Sequence, residues 1–373
     1  MFTRVHCGGI TQRQFSCCAP TNCQDLLIFI DTARSLPYFS HPVKKILKTV
    51  IPLAICVLIF VFIFRKIPPA KAWEALQTSN IPLFIFVAVV YFFWVHVFDC
   101  LAIKHFISRF SAPISHKESW LVRGVTYIMM IINYHAAQGV FAYYFKKTHK
   151  APLSKTLGTM AFISIGDLIL ILTSALIALG FTNVTYQGFD FRLFVLRLAP
   201  IIYLGYGLFI LFWKNADRPV IRKLARFRLV GWLLRHNLFL IFREAKLGDY
   251  LLLFVLRIPL IIAVIGGYNL ALGTFGFAIP WSKIFLYNPI IMLIATLPIT
   301  PAGLGTGQFF TIQFFQNHVS HSNLLIDPVS AASLLLASSL IWFLANQIIK
   351  VIFGVVCLIW TNTEKAWGIR RKA

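Results

Sequence analysis

Long apolar runs alternate with short polar segments along most of this chain. A membrane-spanning helix needs ~20 predominantly apolar residues, and several runs reach that length. The pattern predicts an all-α polytopic integral membrane protein with a transmembrane domain at 44–360. Full spans are predicted at 46–64, 81–103, 157–180, 194–213, 251–273 and 331–360.

Two further apolar segments are interrupted at membrane depth. The segment 124–145 contains a polar and small-residue stretch at 133–139, with Asn133, Gln138 and Gly139. The other is broken at 297–308 by two prolines and three glycines. Proline removes a backbone donor and glycine adds backbone freedom, so both segments are predicted to enter the membrane and turn back. For the second, a loop between two ordinary spans is the alternative.

Basic residues predict the orientation of the spans. The loops 104–123, 146–155, 214–249 and 361–373 hold 4, 4, 9 and 4 Lys or Arg, whereas the opposite loops 65–80, 181–193, 273–283 and 319–328 hold 3, 1, 1 and 0. Cytoplasmic loops carry the excess of Lys and Arg. Both termini are therefore predicted to lie in the cytoplasm, with the protein in the inner membrane.

This orientation relates the two interrupted segments. The first would enter from the cytoplasmic face and the second from the outer face. Opposed broken helices in the two halves of a chain point to an inverted-repeat transporter with its site near the bilayer midplane. The halves show no clear residue-level similarity, so the inverted repeat rests on topology alone.

The terminal and connecting segments are polar or basic. Residues 1–43 are predicted to form a flexible cytoplasmic tail, and 361–373 a basic cytoplasmic tail. Within 214–249, apolar residues recur at helical spacing, which predicts a basic amphipathic helix in the membrane interface. Headgroup contacts are expected there from Arg218, Arg222, Lys223 and Arg226. A solvated linker helix is the alternative.

Ionisable groups inside a membrane are costly and are therefore functional candidates. Asp167 lies midway along its predicted span, and Arg257 lies a third of the way into its own. Both are predicted to face the protein interior, where a structural ion pair and a role in substrate contact or gating remain open. Asp99, Arg197 and Lys350 are predicted nearer span ends, where snorkelling explains them.

The remaining motifs limit the chemistry. Thirty-five Lys and Arg against twelve acidic residues give a formal net charge of +23, which beside apolar spans favours anionic lipid headgroups over nucleic acid. The histidines and cysteines match no common metal spacing. GxxxxGK[ST], HExxH and Asp-x-Asp motifs do not occur. No metal, cofactor or catalytic activity is therefore predicted.

The second break resembles a motif of the flippase-like transmembrane region of the lysylphosphatidylglycerol synthase family, Pro-x-[ST]-Pro-Gly-Gly-Leu-Gly-x-x-Glu. Ala302 replaces the first glycine and Gln308 replaces the acid. A weaker likeness covers 133–144, and Asp167 falls where many members carry an Asp. The likeness extends over most of 44–360. The residues that match the motif are Pro298, Thr300, Pro301, Gly303, Leu304 and Gly305.

The resemblance implies the lipid-handling part of the family without the C-terminal aminoacyl-transfer domain. Gln308 cannot carry the negative charge of the acid it replaces. Backbone N–H groups at half-helix N-termini would bind an anion such as a lipid phosphate. The predicted substrate site combines both breaks with Asp167 and Arg257, namely Asn133, Gln138 and Gly139 with Pro298, Thr300, Pro301, Gly303, Gly305 and Gln308.

The function expected from these features is a flippase or transporter that moves or holds an anionic lipid or lipid-linked intermediate between leaflets. A membrane-embedded transferase that modifies a lipid is one alternative, and an accessory subunit of a lipid-glycan pathway is another. Membrane lipids are the predicted partners. Pathway enzymes and a second copy of the chain are left open.

Overall fold

Helices form most of the computed structural model, which describes residues 80–132, 134–181, 185–186, 188–219, 223, 237–296, 305–321 and 324–366. These residues belong to one unit of the chain, 54–373. The predicted tail at 1–43 and the predicted span at 46–64 lie outside the described residues.

Ten α-helices follow one another in the described residues. Five of them, α1, α4, α5, α7 and α10, are long and apolar enough to cross a membrane, and each contains one of the predicted spans. This confirms the prediction of an all-α polytopic membrane protein. The helices are α1 (Ile81–Phe110), α2 (His116–Ile132), α3 (Tyr134–His149), α4 (Leu153–Gly180), α5 (Phe191–Lys214), α6 (Leu240–Glu244), α7 (Leu247–Gly273), α8 (Trp281–Ala295), α9 (Thr306–Phe315) and α10 (Pro328–Ala366).

The spanning helices are longer than the apolar runs that predicted them. Helix α1 continues from 103 to Phe110, and α10 extends beyond the predicted 331–360 at both ends. Hydropathy detects only the part of a helix that suits hydrocarbon, whereas backbone hydrogen bonding continues into the polar flanks. Asn80 fixes the start of α1, because its side chain accepts a hydrogen bond from the Leu83 N–H at 3.1 Å.

Helices α2 and α3 form the first helical hairpin, as the interrupted segment predicted. Glu118, in the first turn of α2, accepts a hydrogen bond from the Tyr144 hydroxyl at 3.1 Å and lies 2.7 Å from His149 Nε2 at the end of α3. The chain therefore turns back on itself. The predicted break at 133–139 was too wide, because α3 begins at Tyr134 and includes Gln138 and Gly139.

Helices α8 and α9 form the second hairpin. The Tyr287 ring, in the middle of α8, stacks on His318 just after α9, with 5.8 Å between ring centroids, and lies 5.6 Å from the Phe314 ring. The end of the shorter α9 therefore packs beside the middle of α8. The residues between the two helices include Pro298, Thr300, Pro301 and Gly303, and these lie outside the described residues.

The two hairpins enter from opposite ends of α1. The first begins at His116, shortly after α1 ends at Phe110. At the other end of α1, the Asn80 N–H donates to the Thr274 carbonyl at 3.0 Å, just before the chain enters α8. The opposed arrangement predicted from charge counting is therefore present in the structure.

Short antiparallel strands brace two of the loops and were not predicted. Strands of two residues are too short to show an alternating pattern. One pair lies between α4 and α5, and a three-stranded ribbon joins the loops that flank α8 and α9. The strands are β1 (Thr185–Tyr186), β2 (Phe189–Asp190), β3 (Phe277–Ala278), β4 (Ser320–His321) and β5 (Leu324–Leu325).

Most of the basic amphipathic helix predicted within 214–249 lies outside the described residues, at 220–222 and 224–236. Helix α6 buries Ile241 and Phe242 in the protein core, because these side chains pack against α4 and α5. Arg218 and Lys223 are exposed. Arg222 and Arg226, predicted as headgroup contacts, lie outside the described residues.

Helices α1, α4 and α7 pack against one another and position the candidate site. Helices α4 and α7 come close beside Gly166, where an added Cβ would lie 2.4 Å from Leu253 Cδ2. The small residue therefore allows the close contact. Asp167 follows Gly166 directly, and Arg257 lies one turn after Leu253, so this crossing places an acid and a base side by side.

Candidate functional site

A network of four charged side chains joins α1, α2, α4 and α7. Arg257 donates two hydrogen bonds to Asp167, from Nε to Oδ1 and from Nη2 to Oδ2, each at 2.5 Å. Its third donor, Nη1, reaches Asp99 Oδ1 at 2.6 Å. Arg123 Nε donates to the other oxygen of Asp99, Oδ2, at 2.5 Å. The two arginines and two aspartates therefore alternate along one continuous chain of contacts.

The network is buried at the end formed by Asp99 and Arg123 and more exposed at the end formed by Asp167. Asp99 and Arg123 are each 5% exposed and Arg257 is 6% exposed. The Asp167 side chain is 19% exposed. Asp167 is therefore the most accessible of the four side chains.

Pairing explains how these charges are tolerated at membrane depth. Asp99 and Asp167 lie well inside α1 and α4, about 17 to 27 Å from the helix ends at 1.5 Å per residue. A lone charge there costs several kcal/mol, and a matched guanidinium–carboxylate contact offsets much of that cost. Each charge in the network has an opposite charge in direct contact.

Half of this network was predicted from the sequence. Asp167 and Arg257 were predicted to face the interior, and the structure brings them into contact. The prediction for Asp99 was wrong, because Asp99 is buried inside α1 rather than snorkelling near a span end. Arg123 was predicted in a basic loop, whereas it lies two turns inside α2. The helical spacing of His96 and Asp99 on one face of α1 was the available signal.

An aromatic and histidine cluster covers one side of Asp99. His96 Nδ1 lies 3.0 Å from the Tyr127 hydroxyl, and the His96 ring stacks on Phe92. The Arg123 guanidinium lies 5.2 Å from the centre of the Tyr127 ring. These contacts satisfy His96 within the core. Among the described residues, no three His, Cys, Asp or Glu side chains gather as metal ligands.

Gln138 connects the first hairpin to this region. Its Nε2 donates to Ser164 Oγ at 3.1 Å. Ser164 and Asp167 are three residues apart on α4 and therefore share a helix face. Gly139 faces open space, since an added Cβ would have no atom within 4 Å. Substrate binding by Gln138 and Gly139 stays a prediction, and Asn133 lies outside the described residues.

The second hairpin contributes a capped half-helix. Gly305 precedes α9 with φ at 90°, in the region that side-chain-bearing residues rarely adopt. Its N–H donates to Gln308 Oε1 at 2.7 Å, and Gln308 is 7% exposed. An amide oxygen accepts this hydrogen bond as a carboxylate would. The acid-to-amide replacement therefore retains the cap and removes the charge.

One known protein family matches the part of the chain that contains the ion network and the two hairpins. The family described as Lysylphosphatidylglycerol synthase TM region matches residues 49–354. The matched segment includes both hairpins and all four residues of the ion network. No curated protein and no solved structure matches the chain.

Proposed function

The chain belongs to the Lysylphosphatidylglycerol synthase TM region family, and from this premise we propose that it moves an anionic lipid or lipid-linked intermediate between the leaflets of the membrane. The proposed activity makes and breaks no covalent bond. Membrane lipids are the proposed substrates and partners, and the cytoplasmic inner membrane is the proposed location.

The observation that carries this proposal is the opposed placement of the two hairpins. The α2–α3 and α8–α9 hairpins enter from opposite ends of α1. Interrupted helices place backbone N–H and C=O groups at membrane depth, where a polar group crossing the bilayer needs partners. A pair that enters from both sides offers such partners to a headgroup arriving from either leaflet.

The ion network supports the same proposal. Buried ionisable groups inside membrane segments mark pathways for polar substrates. Arg257 is shared by two carboxylates, and Asp167 is the more exposed of the two. A headgroup that competes for Arg257 or Asp167 exchanges one charge contact for another, which keeps the cost of transfer low.

The distribution of charge supports the proposed orientation. The end of the helices that carries α2 and α3 holds Lys117, Lys146, Lys147 and Lys155, whereas the end that carries α8 holds Arg192 and Lys283. The basic end is proposed to face the cytoplasm. Arg218 and Lys223, exposed at the same basic end, would attract anionic headgroups.

Reconstituted liposomes test the proposal. The purified chain is placed in vesicles that contain a fluorescent anionic lipid, and a membrane-impermeant quencher reports how much lipid remains in the outer leaflet. Equilibration between leaflets with unchanged lipid mass is the expected result. A change in lipid mass would instead identify a transferase, and an absence of movement would favour an accessory subunit.

Matched glycine variants connect the movement to the second hairpin. Gly305→Leu places a large side chain at a positive-φ position and is expected to abolish equilibration. Gly205→Leu is the control, because Gly205 lies on α5 with no atom within 4 Å of an added Cβ. Lipid movement that survives Gly305→Leu in folded protein contradicts the proposal.

A further inference from the structure

Lys350 on α10 is a cation that the ion network leaves unmatched. The charges of Arg123, Arg257, Asp99 and Asp167 sum to zero. Lys350 lies close enough to Asp99 and Arg123 for electrostatic interaction. In the part of the chain that the structure describes, it makes no ion pair and donates no hydrogen bond to a side chain or backbone group. Its ammonium therefore adds one positive charge to a neutral cluster.

Snorkelling does not account for Lys350. The basic end of α10 is marked by Trp360, whose ring centre lies 5.7 Å from Lys117 Nζ. Lys350 precedes Trp360 by ten residues, or about 15 Å of helix, and α10 continues in the other direction to Pro328. Lys350 was predicted near a span end, whereas it lies near the middle of α10.

The neighbours of Lys350 on α10 face the protein interior. Phe353, one turn along the helix, lies 4.7 Å from the His96 ring and 5.2 Å from the Phe92 ring of α1. This helix face therefore packs against the part of α1 that carries Asp99. Asn346, one turn in the other direction, is 9% exposed, and its side-chain Oδ1 has no hydrogen-bond partner. Buried polar atoms without a partner are uncommon and indicate a missing polar group.

We infer that Lys350 binds the phosphate of an anionic lipid headgroup at mid-membrane depth. The bound phosphate neutralises the excess positive charge that Lys350 adds to the cluster. The unpaired Asn346 oxygen one turn away provides an acceptor for a headgroup hydroxyl. This inference rests on the proposed function and names the residue that recognises the lipid charge.

Lipid retention in detergent tests the inference without requiring transport. Protein is purified with phosphatidylglycerol or with zwitterionic phosphatidylcholine, and bound lipid is counted by native mass spectrometry. The unmodified chain is expected to prefer phosphatidylglycerol. Lys350→Met should reduce that preference by about ten-fold or more, since the loss of one charge-assisted hydrogen bond exceeds the ~1.4 kcal/mol that corresponds to a ten-fold change. Lys350→Arg keeps the charge and should retain the preference.

Arg197→Met is the matched control. Arg197 is an exposed cation on α5, and its removal changes the net charge of the chain by the same amount. An equal loss of preference in both Met variants would overturn the inference. The elution volume and the helical circular dichroism of Lys350→Met are compared with those of the unmodified chain to check that the variant is folded. If that variant is unfolded, the smaller change Lys350→Gln is compared with Lys350→Arg, and equal preference in these two overturns the inference.

A competition experiment distinguishes the lipid from free phosphate. Short-chain phosphatidylglycerol should displace the bound lipid, whereas inorganic phosphate in the tens of millimolar should not. Equal displacement by inorganic phosphate contradicts a lipid ligand. Lipid movement that persists unchanged in Lys350→Met overturns the inference and leaves the proposed function intact. Charge-selective retention without lipid movement supports the inference and overturns the proposed function.

Discussion

Arg257 and Asp167 form a two-pronged contact between helices 90 positions apart in sequence, with both hydrogen bonds at 2.5 Å. A planar guanidinium facing a carboxylate in this way fixes orientation as well as distance. The contact holds α4 and α7 in register near the middle of both helices. Arg257 also holds Asp99, so one side chain connects three helices.

Removal of Arg257 is expected to destabilise the protein more than removal of the Asp167 charge. Arg257→Met leaves the Asp167 carboxylate without its partner and leaves Asp99 with Arg123 alone, which costs about 3–5 kcal/mol. Asp167→Asn leaves Arg257 paired with Asp99 and therefore costs less. Unfolding in detergent, followed by helical circular dichroism, measures both. Arg197→Met serves as the control, and equal losses in the two network variants would contradict the shared role of Arg257.

Two glycines of the second hairpin are expected to respond in opposite ways to alanine. Gly305 has φ at 90°, so Gly305→Ala should cost roughly 1–3 kcal/mol of backbone strain. Gly307 lies inside α9 with open space around it, so Gly307→Ala should be neutral or stabilise the helix by up to ~1 kcal/mol. The free energy of unfolding in mixed detergent micelles measures the difference. Equal effects would show that the Gly305 conformation is not required.

Gln308 is expected to act as a helix cap rather than as a charge. Gln308→Leu leaves the buried Gly305 N–H without an acceptor and should cost about 1–3 kcal/mol. Gln308→Glu retains an oxygen at the same position and should preserve the cap. Thermal unfolding of the two variants in detergent provides the comparison. If the two variants unfold at the same temperature, the contact of Gln308 Oε1 contributes nothing to the stability of α9.

The two hairpins are expected to be reached from opposite sides of the membrane. Lys147 and Ser282 are exposed at the bases of the first and second hairpins. After replacement of the native cysteines, Lys147→Cys should react with a membrane-impermeant maleimide only from the cytoplasmic side. Ser282→Cys should react only from the outer side. Reaction of both cysteine variants from one side of the membrane would contradict the opposed hairpins. Reaction of Lys147→Cys only from the outer side and of Ser282→Cys only from the cytoplasmic side would reverse the proposed orientation.

The sequence by itself determined where the chain crosses the membrane and where it turns back. Both are local properties: hydrocarbon selects about 20 apolar residues in a row, and proline, glycine and polar residues mark the interruptions. Loop charge added the opposed relation of the hairpins, because the charge bias requires no knowledge of packing.

Only the tertiary structure decided which charges meet. Asp99, Arg123 and Arg257 come from three helices, and no spacing in the sequence predicts their contact. Hydropathy also ended the helices too early, which placed Asp99 and Lys350 near helix ends instead of near the middle of α1 and α10. The partner of a buried charge depends on how whole helices pack, here through a close approach at Gly166, and packing joins residues that are far apart in the chain.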